Sequence, residues 1–133
     1  LLGNLHIECA NTYESIGIVQ QKIECHEEAI NSFERALAIK KTSLDEDDED
    51  ISVLLHFIGM SLFALEKFEE AVVYFKDSSE RKKTHHGRAD GEYAMSVIGL
   101  ASAYAKIGDE YLSVEVRVCR CRVFLIFFTN NLP

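Results

Sequence analysis

Tryptophan is absent from the chain, proline occurs once, and the 133 residues include only seven glycines and two methionines. So little proline and glycine excludes a collagen-like chain, a proline-rich linker and a long disordered tail. Basic residues are also in deficit: 14 Lys and Arg stand against 22 Asp and Glu, for a formal net charge of −8. A surface of that sign repels phosphate backbones, so nucleic acid is not an expected partner. No apolar run approaches the roughly 20 residues that a membrane-spanning helix requires, so no membrane is expected either. The scattered glycines form neither a phosphate-cradling loop nor the sharp turn that exposes a serine nucleophile.

The four cysteines, Cys9, Cys25, Cys119 and Cys121, contain no C-x-x-C pair. Redox and zinc-ribbon signatures therefore fail, and the expectation is reduced thiols in a cytoplasmic protein. What is plentiful is apolar and charged side chain, 47% and 27% of the sequence. This length suits one domain that buries a core without disulfide staples. The first residue is Leu1 rather than Met, so the chain reads as a piece of a longer protein.

Sliding the chain against itself by 42 positions aligns eleven identical pairs over the 42 positions of one unit, including Ile16/Ile58, Gly17/Gly59, Glu24/Glu66, Ala29/Ala71, Phe33/Phe75 and Lys40/Lys82. Chance would give roughly two or three, so the chain is an internal repeat. A third copy follows in residue size and polarity, with Leu100 under Ile58 and Ala101 under Gly59. Within each unit apolar positions recur at three- and four-residue steps, the period of a helix. The first helix carries Tyr13, Ile16, Gly17 and Gln20, then Leu55, Ile58, Gly59 and Leu62, then Val97, Leu100, Ala101 and Tyr104. The second carries Ala29, Phe33 and Ala36, then Ala71, Phe75 and Ser78. This small-large-small face meshes with a neighbour, and a glycine opposite it admits close approach, which justifies its helix cost of ~1 kcal/mol. Short breaks at 24–26, 66–67 and 108–109 join the helices of a unit, and longer ones at 44–50 and 85–91 join the units. Asp50 or Ser52 is the expected cap of the helix that follows the first long break.

These residues resemble the tetratricopeptide repeat over roughly residues 10–116, with units 10–51, 52–93 and 94–116 inside a repeat domain 1–116. The period of 42 is similar to the long repeats of kinesin light chains rather than the ordinary 34-residue form. The resemblance implies an all-α, right-handed superhelical solenoid of antiparallel helix pairs, with an extended second helix in each unit. It departs from the pattern at Gln20, where an aromatic is usual, and at Cys25 and His26 in the turn. The segment 117–133 departs most: Arg117 and Arg120 fall in core slots, and Val123 to Phe128 is wholly apolar. It reads as foreign to the repeat, as an unspliced or frame-shifted end would be; the other reading is a genuine last helix with snorkelling arginines.

Catalytic and metal signatures are missing. His26-Glu27-Glu28-Ala29-Ile30 starts like a zinc-binding H-E-x-x-H, but Ile30 stands where the second imidazole must be. The acidic run 45–50 fails as a calcium loop, because Asp50 and His56 occupy the required Gly and Glu positions. No cofactor, metal or small-molecule substrate is expected, and the chain is read as non-catalytic. In the resembled family ligands contact the first helix of each unit on its concave side. Carried over, this implies a partner-binding groove of Asn11, Glu14, Ile18, Gln21 and Lys22 in unit one, Val53, His56, Met60 and Phe63 in unit two, and Met95, Ile98, Ser102, Ala105 and Lys106 in unit three. Glu14 and Ile18 stand where chaperone-tail binders carry a carboxylate clamp, which argues against that specificity. The expected function is a scaffold for a protein or peptide partner; an accessory module of a larger enzyme or signalling protein, or a plain spacer, are the alternatives.

Overall fold

The computed structural model describes residues 2–43, 49–86 and 91–108. These form five helices: α1 (Leu2–Lys22), α2 (His26–Ser43), α3 (Glu49–Ala64), α4 (Phe68–His86) and α5 (Gly91–Ile107). Each helix packs on the next, and α3 also touches both α1 and α5. The first helices of the units, α1, α3 and α5, thus line one side of the stack, and α2 and α4 line the other. The molecule is an all-α helical solenoid. The second helices are long, 18 and 19 residues, as a 42-residue repeat requires.

The turns inside the units are copies of one another. Glu24, Glu66 and Gly108 stand 42 residues apart and all have positive φ, 63°, 61° and 79°. In the first turn the Cys25 N–H donates to the Gln20 carbonyl (2.9 Å) and the Glu24 N–H to that of Gln21 (3.2 Å). In the second, Lys67 donates to Leu62 (2.9 Å) and Glu66 to Phe63 (3.1 Å). These paired bonds are the Schellman end of a helix, which satisfies carbonyls left over at its C-terminus. A glutamate holds the left-handed position twice where glycine would do so without steric cost.

The core is a line of small and large side chains. Ala29, Phe33 and Ala36 of α2 are buried, as are Ala71, Phe75 and Ser78 of α4. A Cβ placed on Gly17 would lie 2.6 Å from the Phe33 ring, and one on Gly59 would lie 2.9 Å from Phe75. Phe75 is enclosed from the other side too, since a Cβ on Gly99 of α5 would meet it at 2.7 Å. Phe33 has a different second neighbour, Phe57 of α3, stacked with ring centroids 5.4 Å apart and planes at 11°.

Three expectations change. Ile16 is exposed rather than part of the face that meets α2, because that face turns through Tyr13, Gly17 and Gln20. Gln20 earns its place there by accepting a 2.6 Å hydrogen bond from the Ser32 hydroxyl. Neither Asp50 nor Ser52 caps α3, which already begins at Glu49. Asp50 pairs with Lys40, and Ser52 is buried with its hydroxyl on the Glu49 carbonyl. In the third unit Val97 is buried, while Leu100, Ala101 and Tyr104 are half-buried. The readings on Arg117, Arg120 and the 117–133 segment lie outside the described residues, as do most of those on the two long breaks.

Gly17→Ala and Gly59→Ala will each destabilise the chain by about 1–3 kcal/mol, because the new methyl meets a rigid ring in a filled core. Glu24→Gly and Glu66→Gly will each raise stability, by about 0.5–1 kcal/mol, through relief of the left-handed strain. Urea unfolding followed by circular dichroism measures all four.

Candidate interaction groove

The expected groove residues fall into two groups. His56, Met60 and Phe63 of α3 come together with Met95, Ile98 and Ser102 of α5 around a cleft of about 220 Å³. Phe75 forms its floor and Gly99 part of one wall. The helix period puts 56, 60 and 63 on one side of α3, and 95, 98 and 102 on the facing side of α5. The lining is mainly apolar, with Met60, Met95 and Ile98 partly open to solvent. Its polar groups are the His56 ring and the Ser102 hydroxyl, which already donates to the Ile98 carbonyl at 2.9 Å. His56 tilts over Phe75 at 5.6 Å, and Phe63 meets Phe68 edge-on at 5.2 Å, so the walls are braced by rings.

Three of the unit-one positions, Glu14, Ile18 and Gln21, serve the scaffold instead. Lys40 is buried, 2% exposed, and its Nζ pairs with Glu14 Oε2 at 2.7 Å and Asp50 Oδ2 at 3.0 Å. Burial disfavours the Lys40 charge, but the hydrogen bonds and charges of Glu14 and Asp50 outweigh it and hold the ammonium above its ordinary value. The Gln21 amide reaches across the unit boundary to Ser61 Oγ (3.1 Å) and the Phe57 carbonyl (3.4 Å). Ile18 packs half-buried against the core. Asn11, Lys22, Ala105 and Lys106 are exposed, and Val53 is half-buried; none of them lines the cleft.

Two residues of the cleft escaped sequence reasoning. Gly99 lies 42 positions after Phe57, so the slot that holds a stacked phenylalanine between the first two units holds no side chain between the next two. Phe75 was read only as core. The buried Lys40 was also missed, although its identity with Lys82, itself buried, was a signal.

A larger cavity, about 370 Å³, opens between α2 and α4, away from the expected positions. Glu27, Glu34, Glu70 and Lys67 ring it over Ile30, Ile58 and Leu62. Burial, with Glu34 and Glu70 nearby, pushes the Tyr74 phenol at its edge up. Among the described residues no three His, Cys, Asp or Glu side chains gather where a metal ion would sit. No helix among them is long and apolar enough to cross a membrane.

Paired helices, a repeated glycine–phenylalanine mesh and an inner cleft between first helices define a class of stacked-helix repeat proteins. The tetratricopeptide repeat family model matches residues 8–84, and the chain belongs to that family. Repeats of this family generally mediate protein–protein interaction and are typically non-catalytic. The crystal structure of BtubC (BKLC) from P. vanneervenii, a kinesin-light-chain-like repeat protein, is similar with a TM-score of 0.59 at 15% sequence identity. The alignment covers 93% of this chain and 65% of that one, so this chain spans about two-thirds of its length. No curated protein matches the sequence.

Glu14→Ala will cost about 1–3 kcal/mol, more than Lys40→Met, because it leaves a buried ammonium with one exposed partner whereas methionine removes the charge itself. The Lys40 charge contributes its full stabilisation below the ordinary lysine value of 10.5 and loses it as pH rises through the higher folded-state value. Urea midpoints for the parent and Lys40→Met, measured from neutral to strongly alkaline pH, should therefore converge at the alkaline end.

Proposed function

We propose that the chain is a non-catalytic interaction scaffold and that a peptide or partner segment binds the inner cleft between α3 and α5. The observation that carries this reading is Gly99, which brings no side chain to the boundary between α3 and α5 and leaves an apolar cleft beside the Phe75 ring. Phe57, the counterpart of Gly99 one unit earlier, stacks on Phe33. Between α3 and α5 the cleft is bordered by Met60, Phe63, Met95 and Ile98. Apolar surface kept open beside a well-packed core is where a partner side chain gains most from leaving water. Methionines on both walls adjust to the shape of what enters. The thiols described, Cys9 and Cys25, are free, which fits a reducing compartment such as the cytoplasm.

Peptide-array binding to the full chain tests this beside a Met60→Ala, Phe63→Ala variant and a Ser102→Phe variant. The expected result is a set of peptides whose binding both variants weaken by roughly tenfold or more. Ser102→Phe carries extra weight if its helix content is retained, because it fills the cleft from an exposed rim position without disturbing the contact between Phe75 and Gly99. Peptides that bind all three proteins equally would refute the cleft as the docking site.

A further inference from the structure

The 370 Å³ cavity between α2 and α4 lies on the side of the stack opposite the inner cleft. Helices α2 and α4 do not pack directly on each other; each packs on α3, which leaves a trough between them. Walls and floor come from consecutive units that are both described, so the trough belongs to the boundary between those units. On α2 the residues 27, 30, 31 and 34 share one face of the helix, and 70 and 74 of α4 look back at them. The floor is apolar: Ile58 and Leu62 of α3 are buried beneath, with Ile30 and Leu65 half-buried at the sides. The volume falls within the ~300–1,000 Å³ of sites that enclose small ligands or long side chains.

The rim is negative. Glu27, Glu34 and Glu70 stand around it against Lys67 alone, and all four are exposed. Among the described residues none of these carboxylates forms an ion pair or a hydrogen bond through its side chain. Helix N-termini favour Glu27 and Glu70, which lie in the first turns of α2 and α4, but Glu34 lies beyond that turn. Tyr74 registers the field: burial, then the charges of Glu34 and Glu70, push its phenol up. Carboxylates on opposite walls therefore act on one hydroxyl at the same end of the cavity. Lys67 stands about two turns before Tyr74, towards the other end. Arg35, next to Glu34 in the chain, is turned away, its guanidinium 5.6 Å from the centre of the Tyr13 ring.

We infer that this cavity is a second docking site, which takes an arginine side chain from a basic segment of a partner protein. The arginine stem lies along Ile30, Leu62 and Leu65, apolar surface that its methylenes cover. The guanidinium reaches the Tyr74 end, between Glu34 and Glu70. Both carboxylates accept from its fork of N–H donors, and the phenol ring offers a face for stacking. The contact of Arg35 with Tyr13 is the same pairing of guanidinium and ring within the chain. Lysine carries a compact, strongly hydrated charge that leaves water less readily, so arginine is preferred. The same rim repels an acidic segment, so the site separates basic partners from acidic ones.

Titration of the isotopically labelled full chain with a blocked peptide, one arginine between alanines, tests the site by NMR. Amide shifts confined to 27–34 and 67–74 are expected, and they should shrink as salt is added. Replacing the arginine by citrulline, its neutral isostere, should weaken binding by roughly fivefold or more. A Glu34→Gln, Glu70→Gln variant with unchanged helix content should weaken it to a similar extent, roughly fivefold. A Glu28→Gln, Glu69→Gln variant removes the same charge from exposed positions outside the cavity and should bind as the parent does. The proposal is overturned by an absence of shifts at 27–34 and 67–74, by citrulline binding as well as arginine, or by equal losses in the two double variants. Shifts centred on 56–63 and 95–102 would overturn it too, by placing the peptide in the inner cleft.

Discussion

A phenylalanine ring pressed against a bare helix backbone is the contact on which this stack depends. Phe33 lies against Gly17, and Phe75 lies between Gly59 and Gly99. A side chain at any of these glycines would have to occupy space the ring already fills, so the helices approach as closely as the ring permits. That approach brings the small residues around each ring, Ala29 and Ala36, then Ala71 and Ser78, into the buried core. It also sets the spacing of α1, α3 and α5, and hence the width of the cleft on their inner side. Glycine lowers helix propensity where it stands; here the loss is offset by apolar burial that no larger residue would allow.

The two unit boundaries solve the same packing problem with different chemistry. Between the first two, Phe57 stacks on Phe33, Gln21 bonds across to Ser61, and Lys40 is neutralised by Glu14 and Asp50. The contact is filled and locked by charge. Between the next two, Ser78 donates to the Ser52 carbonyl at 2.8 Å and lies 3.1 Å from Ser96, whose hydroxyl lies 3.3 Å from His56 Nδ1. Small hydroxyls replace Ala36 and Leu54 of the earlier boundary, and Gly99 replaces Phe57. The second boundary is therefore both more polar at its centre and more open at its inner edge. A buried hydroxyl chain stays favourable only while each member is bonded, so the two walls of the cleft are held at fixed separation.

The family resemblance described this scaffold well because its signals are local and repeated. Glu24, Glu66 and Gly108 mark one turn three times over, and the glycine–phenylalanine pairs recur at one spacing. The groove was less legible. Glu14 and Gln21 sit on the side where a ligand was expected, yet one neutralises a buried lysine and the other bridges two units. Nothing in their own helix distinguishes them from Met60 or Phe63, because their partners lie 26 and 40 residues away.

The sequence by itself determined the repeat, its period, the alternation of small and large core residues and the turn positions, since each is written in residue size and backbone preference over short spans. Tertiary structure alone decided which copies of a repeated position are buried and which are open. Ile16 and Ile58 are the same residue in the same slot, one bare and one enclosed. Burial depends on which unit stands alongside, and a pattern that repeats along the chain cannot carry that difference.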